Sequence, residues 1–244
     1  MKKLLIIPIG IFLASCATTD PAHQLVEDAV RYHGFDQLAS TPVRFSFRDA
    51  QYSIDRSQPG NTSYTKAFSA VDTLSGQTQQ LNDTLINSNQ FTRYLNGQPL
   101  ELSPEDSGRY AESLNAVAYF FQLPVPLLDE AAQLKLLPDT RIKGKDYRTL
   151  AVSFAPDQGG KDHQDTFRYY FDPKTKALSY LSYAYETNGG GIRFRAAQES
   201  PKGRFVFLNY LNYKPKSLVP LDSLPSLYND NQLELLSEII NVVE

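Results

Sequence analysis

Aromatic residues at every second position constrain this chain more than any other feature of its sequence. Val43, Phe45 and Phe47 alternate with Arg44 and Ser46, and Phe167, Tyr169 and Phe171 follow the same rule. A strand returns a side chain to the same face every second residue, so this spacing describes strands with one apolar face. Tyr52 and Ile54 continue the first set after a slip of parity at Asp49-Ala50, which predicts a β-bulge. Tyr64 and Phe68 share parity in a strand over 62–71, and residues 79–86 form a more polar one. Residues 90–95 place Phe91, Arg93 and Leu95 on one side. Pro59-Gly60-Asn61, Ser75-Gly76 and Asn96-Gly97 are turns, the last a strong hairpin signal.

The second half repeats the pattern. Leu150, Val152 and Phe154 share a face in 147–154, as do Leu178 and Tyr180 in 177–185, ahead of Tyr183 and Tyr185. Ile192-Arg193-Phe194-Arg195 alternates again, and 204–213 is apolar on both sides, which predicts cover on both faces. Short turns between successive strands predict antiparallel meanders, not βαβ units. At the chain's end Leu233, Leu236, Ile240 and Val243 fit a helix, while Leu233, Leu235, Ile239 and Val243 fit a strand. The β-branched finish favours the strand.

Two stretches keep the helical period. Asp20 as N-cap and Pro21 at the first position open a helix over 21–33, with Leu25, Val26, Ala29 and Val30 on its apolar side and Gly34 as C-cap. His33, at its end, reads as a capping and dipole partner. Ser103-Pro104-Glu105-Asp106 opens a second helix, with Tyr110, Leu114, Val117, Ala118 and Phe121 in one stripe and a stop at Pro124 and Pro126. Residues 127–137 read as a further short helix. Together they predict a plug or lid over one sheet face, the plain alternative being a packing layer with no cavity. The class is α+β.

The first sixteen residues carry an address. Lys2 and Lys3 precede an apolar run from Leu4 to Phe12 and the small-residue exit Leu13-Ala14-Ser15-Cys16. The run from Leu4 to Ala14 is short of the about 20 residues that span a bilayer. Leu-Ala-Ser-Cys resembles the lipobox of bacterial lipoproteins, which implies cleavage before Cys16 and lipidation of Cys16. The expected layout is a lipoprotein signal peptide over 1–15, a lipidated Cys and tether over 16–20, and one domain over 21–244. Cys16 is the chain's one cysteine, so its lipidation leaves no thiol for a disulfide or a thiolate metal site. Loss of Lys2 and Lys3 takes the net charge from −3 to about −5, which gives no electrostatic case for nucleic acid.

The order helix, aromatic meander, helical insert, second meander, with the hairpin over 171–178, resembles the LolA/LolB-like superfamily of bacterial envelope carriers across most of 21–213. The helix ending in His33-Gly34 before 43–47 is also similar to a group of uncharacterised Bacteroidota lipoproteins. The resemblance implies a half-open antiparallel β-barrel, a curved sheet wrapped around the helical insert, with an apolar cavity that takes acyl chains or similar ligands. The soluble carrier of that superfamily lacks an anchor, whereas Cys16 places this chain nearer the anchored members. The implied location is the bacterial cell envelope, lipid-anchored, at the outer membrane.

Enzymatic chemistry has little footing. His23, His33 and His163 show no ligand spacing, and no nucleophile elbow, phosphate loop or zincin motif occurs. Asp157, Asp162, His163 and Asp165 share one loop that reads as solvated, and Gly189-Gly190-Gly191 reads as a turn. Arg193 and Arg195 point to one face, either into solvent or toward a lipid phosphate at the barrel mouth. The expectation is no catalytic residue, no metal and no cofactor. Phe45, Phe47, Tyr52, Phe68, Phe91, Phe167, Tyr169, Phe171 and Tyr180 are the candidate cavity residues, and each equally suits a filled core. Three Asp-Thr/Ser-Leu triplets, at 72–74, 83–85 and 222–224, match a short O-glycosylation pattern seen in Bacteroidota. The expected function is binding of a lipid, acyl chain or other apolar ligand by a membrane-anchored lipoprotein. The alternative is an accessory lipoprotein that binds an envelope protein partner and no small ligand.

Overall fold

The computed structural model describes residues 20–58, 60–154, 165–186 and 190–244. Cys16 with the signal segment, Asp157, Asp162 and His163 of the acidic loop, and Gly189 lie outside the described residues.

Helix α1, Pro21–Tyr32, starts where the Asp20 carboxylate accepts the Ala22 N–H at 3.0 Å, and it buries Ala22, Leu25, Val26, Ala29 and Val30. Six strands follow: β1 Val43–Phe47, β2 Ala50–Gln58, β3 Asn61–Val71, β4 Thr78–Ile86, β5 Gln90–Leu95 and β6 Gln98–Leu100. Helix α2, Pro104–Phe121, opens with the Ser103 hydroxyl accepting the Asp106 N–H at 3.1 Å. A short 3-10 turn, Val125–Leu128, leads into β7 Ala132–Ile142, β8 Lys145–Phe154, β9 Thr166–Phe171, β10 Leu178–Tyr185, β11 Gly191–Lys202 and β12 Phe205–Lys214. Helix α3, Leu224–Asn229, precedes β13 Glu234–Ile239 and β14 Val242–Val243.

The strands form two open antiparallel sheets of seven. The first runs β14-β1-β2-β3-β4-β5-β6, the second β13-β12-β11-β10-β9-β8-β7. The class is the expected α+β with open, barrel-like antiparallel sheets. One core holds it together: α1, α2 and the 125–128 turn lie between the inner faces of both sheets, and buried residues of all of them form a single apolar cluster. A second, smaller cluster of Ile142, Tyr147, Tyr170, Phe194 and Leu224 seals the outer face of the second sheet beneath α3.

Three local expectations are corrected. Residues 127–137 are not a helix: after the 3-10 turn, β7 pairs with β8, setting Leu134 opposite Val152 and Leu136 opposite Leu150. Exposed Gln133 and Lys135 alternate with half-buried Ala132, Leu134 and Leu136, a period of two. The parity slip at Asp49-Ala50 is not a bulge but a two-residue turn, with Phe47 pairing Ala50 and Arg48 at φ 52°. Helix α3 was not foreseen, because six residues are too few to display a period.

The end of the chain is a strand, and it changes sheets. β13 pairs with β12 in the second sheet, whereas β14 pairs with β1 in the first, Val243 lying opposite Phe45. Buried Asn241 holds the crossing point. Its backbone N–H reaches Asn209 Oδ1 at 2.8 Å and its side-chain amide donates to the Leu208 carbonyl at 3.0 Å.

Candidate functional site

Eight of the nine candidate aromatics face the inner core. Phe45, Tyr52, Phe167, Tyr169 and Phe171 are buried there, and Phe47, Phe68 and Phe91 pack partly buried against them. Tyr180 does not join them. It belongs to the outer cluster, with Tyr147 at 5.2 Å, Phe194 at 5.7 Å and Tyr228 at 5.8 Å between ring centroids. The pairing of β10 with β9 shifts register between Leu178 and Tyr180, so two residues of equal parity point to opposite faces.

The last turn of α2 drives three rings into this surface. Phe121 stacks on Phe45 at 3.6 Å and on Phe207 at 5.1 Å, and so bridges strands of different sheets. Tyr119 lies 6.0 Å from Phe167, and its hydroxyl shares a 2.6 Å hydrogen bond with that of Tyr169. Phe120 lies 5.2 Å from Tyr183, and its carbonyl accepts the Tyr210 hydroxyl at 3.1 Å. Burial pushes the Tyr119, Tyr169 and Tyr210 phenols above their ordinary value, so at neutral pH they stay protonated donors. The rings fill the interface by packing on one another. Two open surface hollows, of about 580 Å³ beside Ala184, Tyr185 and Leu218 and about 460 Å³ beside Ala67, Leu81 and Tyr94, lie elsewhere and are lined by none of the nine.

Charged groups that pattern reading passed over lie on the same surface. Asp83 and Arg93 are both buried and sit directly opposite in the β4–β5 pair. Arg93 Nε and Nη2 meet the two carboxylate oxygens at 2.6 and 2.7 Å, and its guanidinium lies 3.5 Å over the Tyr110 ring of α2. The signal was available: a short turn after Ile86 fixes the register that makes Asp83 and Arg93 neighbours. Arg193 and Arg195 do share the inner face, but in different settings. Half-buried Arg193 donates to its neighbour's carbonyl, Ile192 O, at 2.9 Å. Arg195 is buried beneath Phe120 and donates from Nη2 to the Tyr183 hydroxyl at 2.7 Å.

His33 caps the C-terminus of α1, its backbone N–H donating to the Ala29 carbonyl at 2.9 Å, and its side chain is a clamp. Fully buried, it donates from Nδ1 to the Val206 carbonyl at 2.7 Å while Nε2 accepts the Leu178 N–H at 3.3 Å, which fixes the neutral tautomer. Of the three Asp-Thr/Ser-Leu triplets, 83–85 and 222–224 bury their leucines. The triplet at 72–74 sits in the β3–β4 turn, where Leu74 is 99% exposed. Among the described residues no group of three or more His, Cys, Asp or Glu gathers to hold a metal ion, and no helix is long and apolar enough to cross a membrane.

Comparison with known proteins adds a family. The model of a family described as "Family of unknown function (DUF6503)" matches residues 2–241. The chain belongs to the DUF6503 family. No curated protein matches this DUF6503 chain. Solved structures similar to it include the MucA/MucB complex of Pseudomonas aeruginosa, at 14% identity over 82% of this chain and 68% of that chain, with a TM-score of 0.27. MucB in complex with MucA(peri) matches at 11% identity over 92% of both chains, with a TM-score of 0.19. Likeness at these scores carries no argument about this chain's ligand or partner.

Proposed function

We propose that this DUF6503 chain is a lipoprotein of the bacterial envelope, anchored through Cys16, that holds an acyl-type ligand between α2 and the inner sheet faces. The observation that supports this best is how unevenly α2 is seated. Leu114, Ala118 and Phe121 are buried and Val117, Tyr119 and Phe120 pack beside them against Phe45, Tyr52, Phe167 and Tyr169, whereas residues 104–113 bury no side chain fully. A cover fixed at its last turn and loosely held over its first turns can lift that free end off aromatic surface. The short stretch Ala17–Asp20 keeps the domain near its anchor, so cargo is taken up or presented at one membrane. No catalytic step enters this reading.

Native mass spectrometry of the full chain, released from membranes in mild detergent, tests it. The expected result is a non-covalent acyl-bearing adduct, either co-purified or gained on adding lipid. Repeated failure to find or load any adduct removes the proposal.

A second reading, an accessory lipoprotein that binds a protein, has one observation in its favour. The sheet-changing strand is apolar and open: Leu235, Leu236, Ile240 and Val242 are between 41% and 61% exposed, and β13 is the edge of the second sheet. Such an edge fits an extended segment of an envelope protein. Crosslinking in the native envelope that returns one stoichiometric protein, with no ligand adduct, selects this reading over the first.

A further inference from the structure

The chain buries two arginines on its inner surface and treats them differently. Arg93 spends its Nε and Nη2 edge on both oxygens of Asp83. Arg195, 8% exposed, carries the same edge with only the Tyr183 hydroxyl on Nη2, and its Nε is buried with no hydrogen-bond partner. Among the described residues no carboxylate forms an ion pair with it. Asn212 lies opposite it in the β11–β12 pair, with an Oδ1 that is also buried and makes no hydrogen bond. The guanidinium carbon stands 3.9 Å over Phe120, 5.1 Å from Tyr183 and 5.6 Å from Tyr210. Faces of aromatic rings attract a cation but do not accept an N–H in the guanidinium plane. A buried charge with an open in-plane donor is costly, and a planar fork is the group suited to a carboxylate or phosphate.

We infer that Arg195 is the receptor for an oxyanion, the carboxylate or phosphate head of the ligand held under α2. The anion takes the position at Nε that a carboxylate takes on Arg93, with the Tyr183 hydroxyl as a further donor once it turns from Nη2. Phe120, in the last turn of α2, is the ring that covers this position, so the anion reaches Nε where that ring turns aside. This inference rests on the proposed ligand reading for its tail, but its anion is independent of that reading.

The test compares three probes on the full chain in detergent: palmitate, hexadecanol of equal tail length without the charge, and inorganic phosphate. Palmitate is expected to bind at least ten-fold more tightly than hexadecanol. Arg195→Gln removes that difference, and Arg193→Gln on the same face keeps it. With carbonyl-labelled palmitate, the bound carboxylate resonance stays ionised at a pH where micellar palmitate takes its proton. Equal binding of the two amphiphiles overturns the anion receptor and leaves the apolar-ligand reading standing. Binding of phosphate alone, lost in Arg195→Gln, supports the receptor and overturns the lipid reading. Binding of no probe overturns both. If Arg195→Gln fails to fold, the ratio of palmitate to hexadecanol on the unaltered chain decides.

Discussion

The rings of Phe45 and Phe121 lie parallel, 3° apart in plane and 3.6 Å between centroids, joining the strand that opens the first sheet to the last turn of α2. Phe207 of the second sheet stacks on the other contact of Phe121 at 5.1 Å. One side chain thus ties three elements that no backbone hydrogen bond connects. Phe121→Ala is expected to cost about 3–5 kcal/mol, read as a lower urea midpoint with faster hydrogen exchange in α2.

Asp83→Asn removes the carboxylate that neutralises Arg93 and leaves the guanidinium buried. The expected loss is about 3–5 kcal/mol. Replacing both partners, Asp83→Leu with Arg93→Met, is expected to recover most of it, since neither charge then needs a partner. Urea unfolding of the single and double variants measures this. An equal loss in both shows that the charge pair is not what matters there.

His33 makes stability depend on pH. Burial holds its folded pKa below the ordinary 6.5 against weaker opposing effects of the Val206 carbonyl and Glu199. As pH falls through 6.5, the unfolded chain gains a proton that the folded chain refuses, so stability declines by up to about 1.4 kcal/mol per pH unit. Above that pH the imidazole is neutral in both states and adds no slope. His33→Gln keeps a donor and an acceptor without the titration. Urea midpoints between pH 5 and 8 should fall below pH 6.5 for the natural chain and fall less for the variant over that lower part of the range.

Gly34 sits next to that clamp at φ 72°, and a Cβ on it meets the Arg204 carbonyl oxygen at 2.4 Å. Gly76 has nearly the same φ, 70°, with nothing within 4 Å. Gly76→Ala is expected to cost about 1–2 kcal/mol, the backbone strain alone. Gly34→Ala adds the displacement of the β11–β12 turn at Arg204, for about 2–5 kcal/mol in all. Thermal unfolding of the two variants separates strain from collision.

Features written in adjacent residues were legible before any coordinates. The Asp20 and Ser103 caps each accept a backbone N–H at the helix start, because a cap is a contract between residues two or three apart. The strands around Phe45 and Phe167 were equally plain, since a period of two survives whatever packs on it. Features decided by pairing were not. Leu134, Leu136 and Leu137 satisfy a helical and an extended pattern alike, and only the ladder to β8 settles the choice. Tyr180 left the inner face through an irregularity in the β9–β10 ladder that no turn residue announces. In sequence Arg195, beside Phe194, fits a solvated position or a phosphate contact at the barrel mouth, and neither reading foresees its burial. Its burial comes from Phe120 of α2 and from Tyr183 and Tyr210 of two other strands, converging from distant parts of the chain.

The strand that changes sheets at Asn241 comes after every other strand in chain order, yet its partner β1 is the earliest. A ribosome or a secretion channel releases the first sheet long before the residues that complete it. Until Val242 and Val243 arrive, the backbone edge of Phe45 and Ser46 stays unpaired and no stretch of chain runs directly from an edge of one sheet to an edge of the other at this end. Closure over nearly the whole chain length is slow compared with the local hairpins on either side. The contact that joins the last strand to the first therefore has the greatest sequence separation of any strand pairing in the fold, and the local hairpins are expected to form ahead of it.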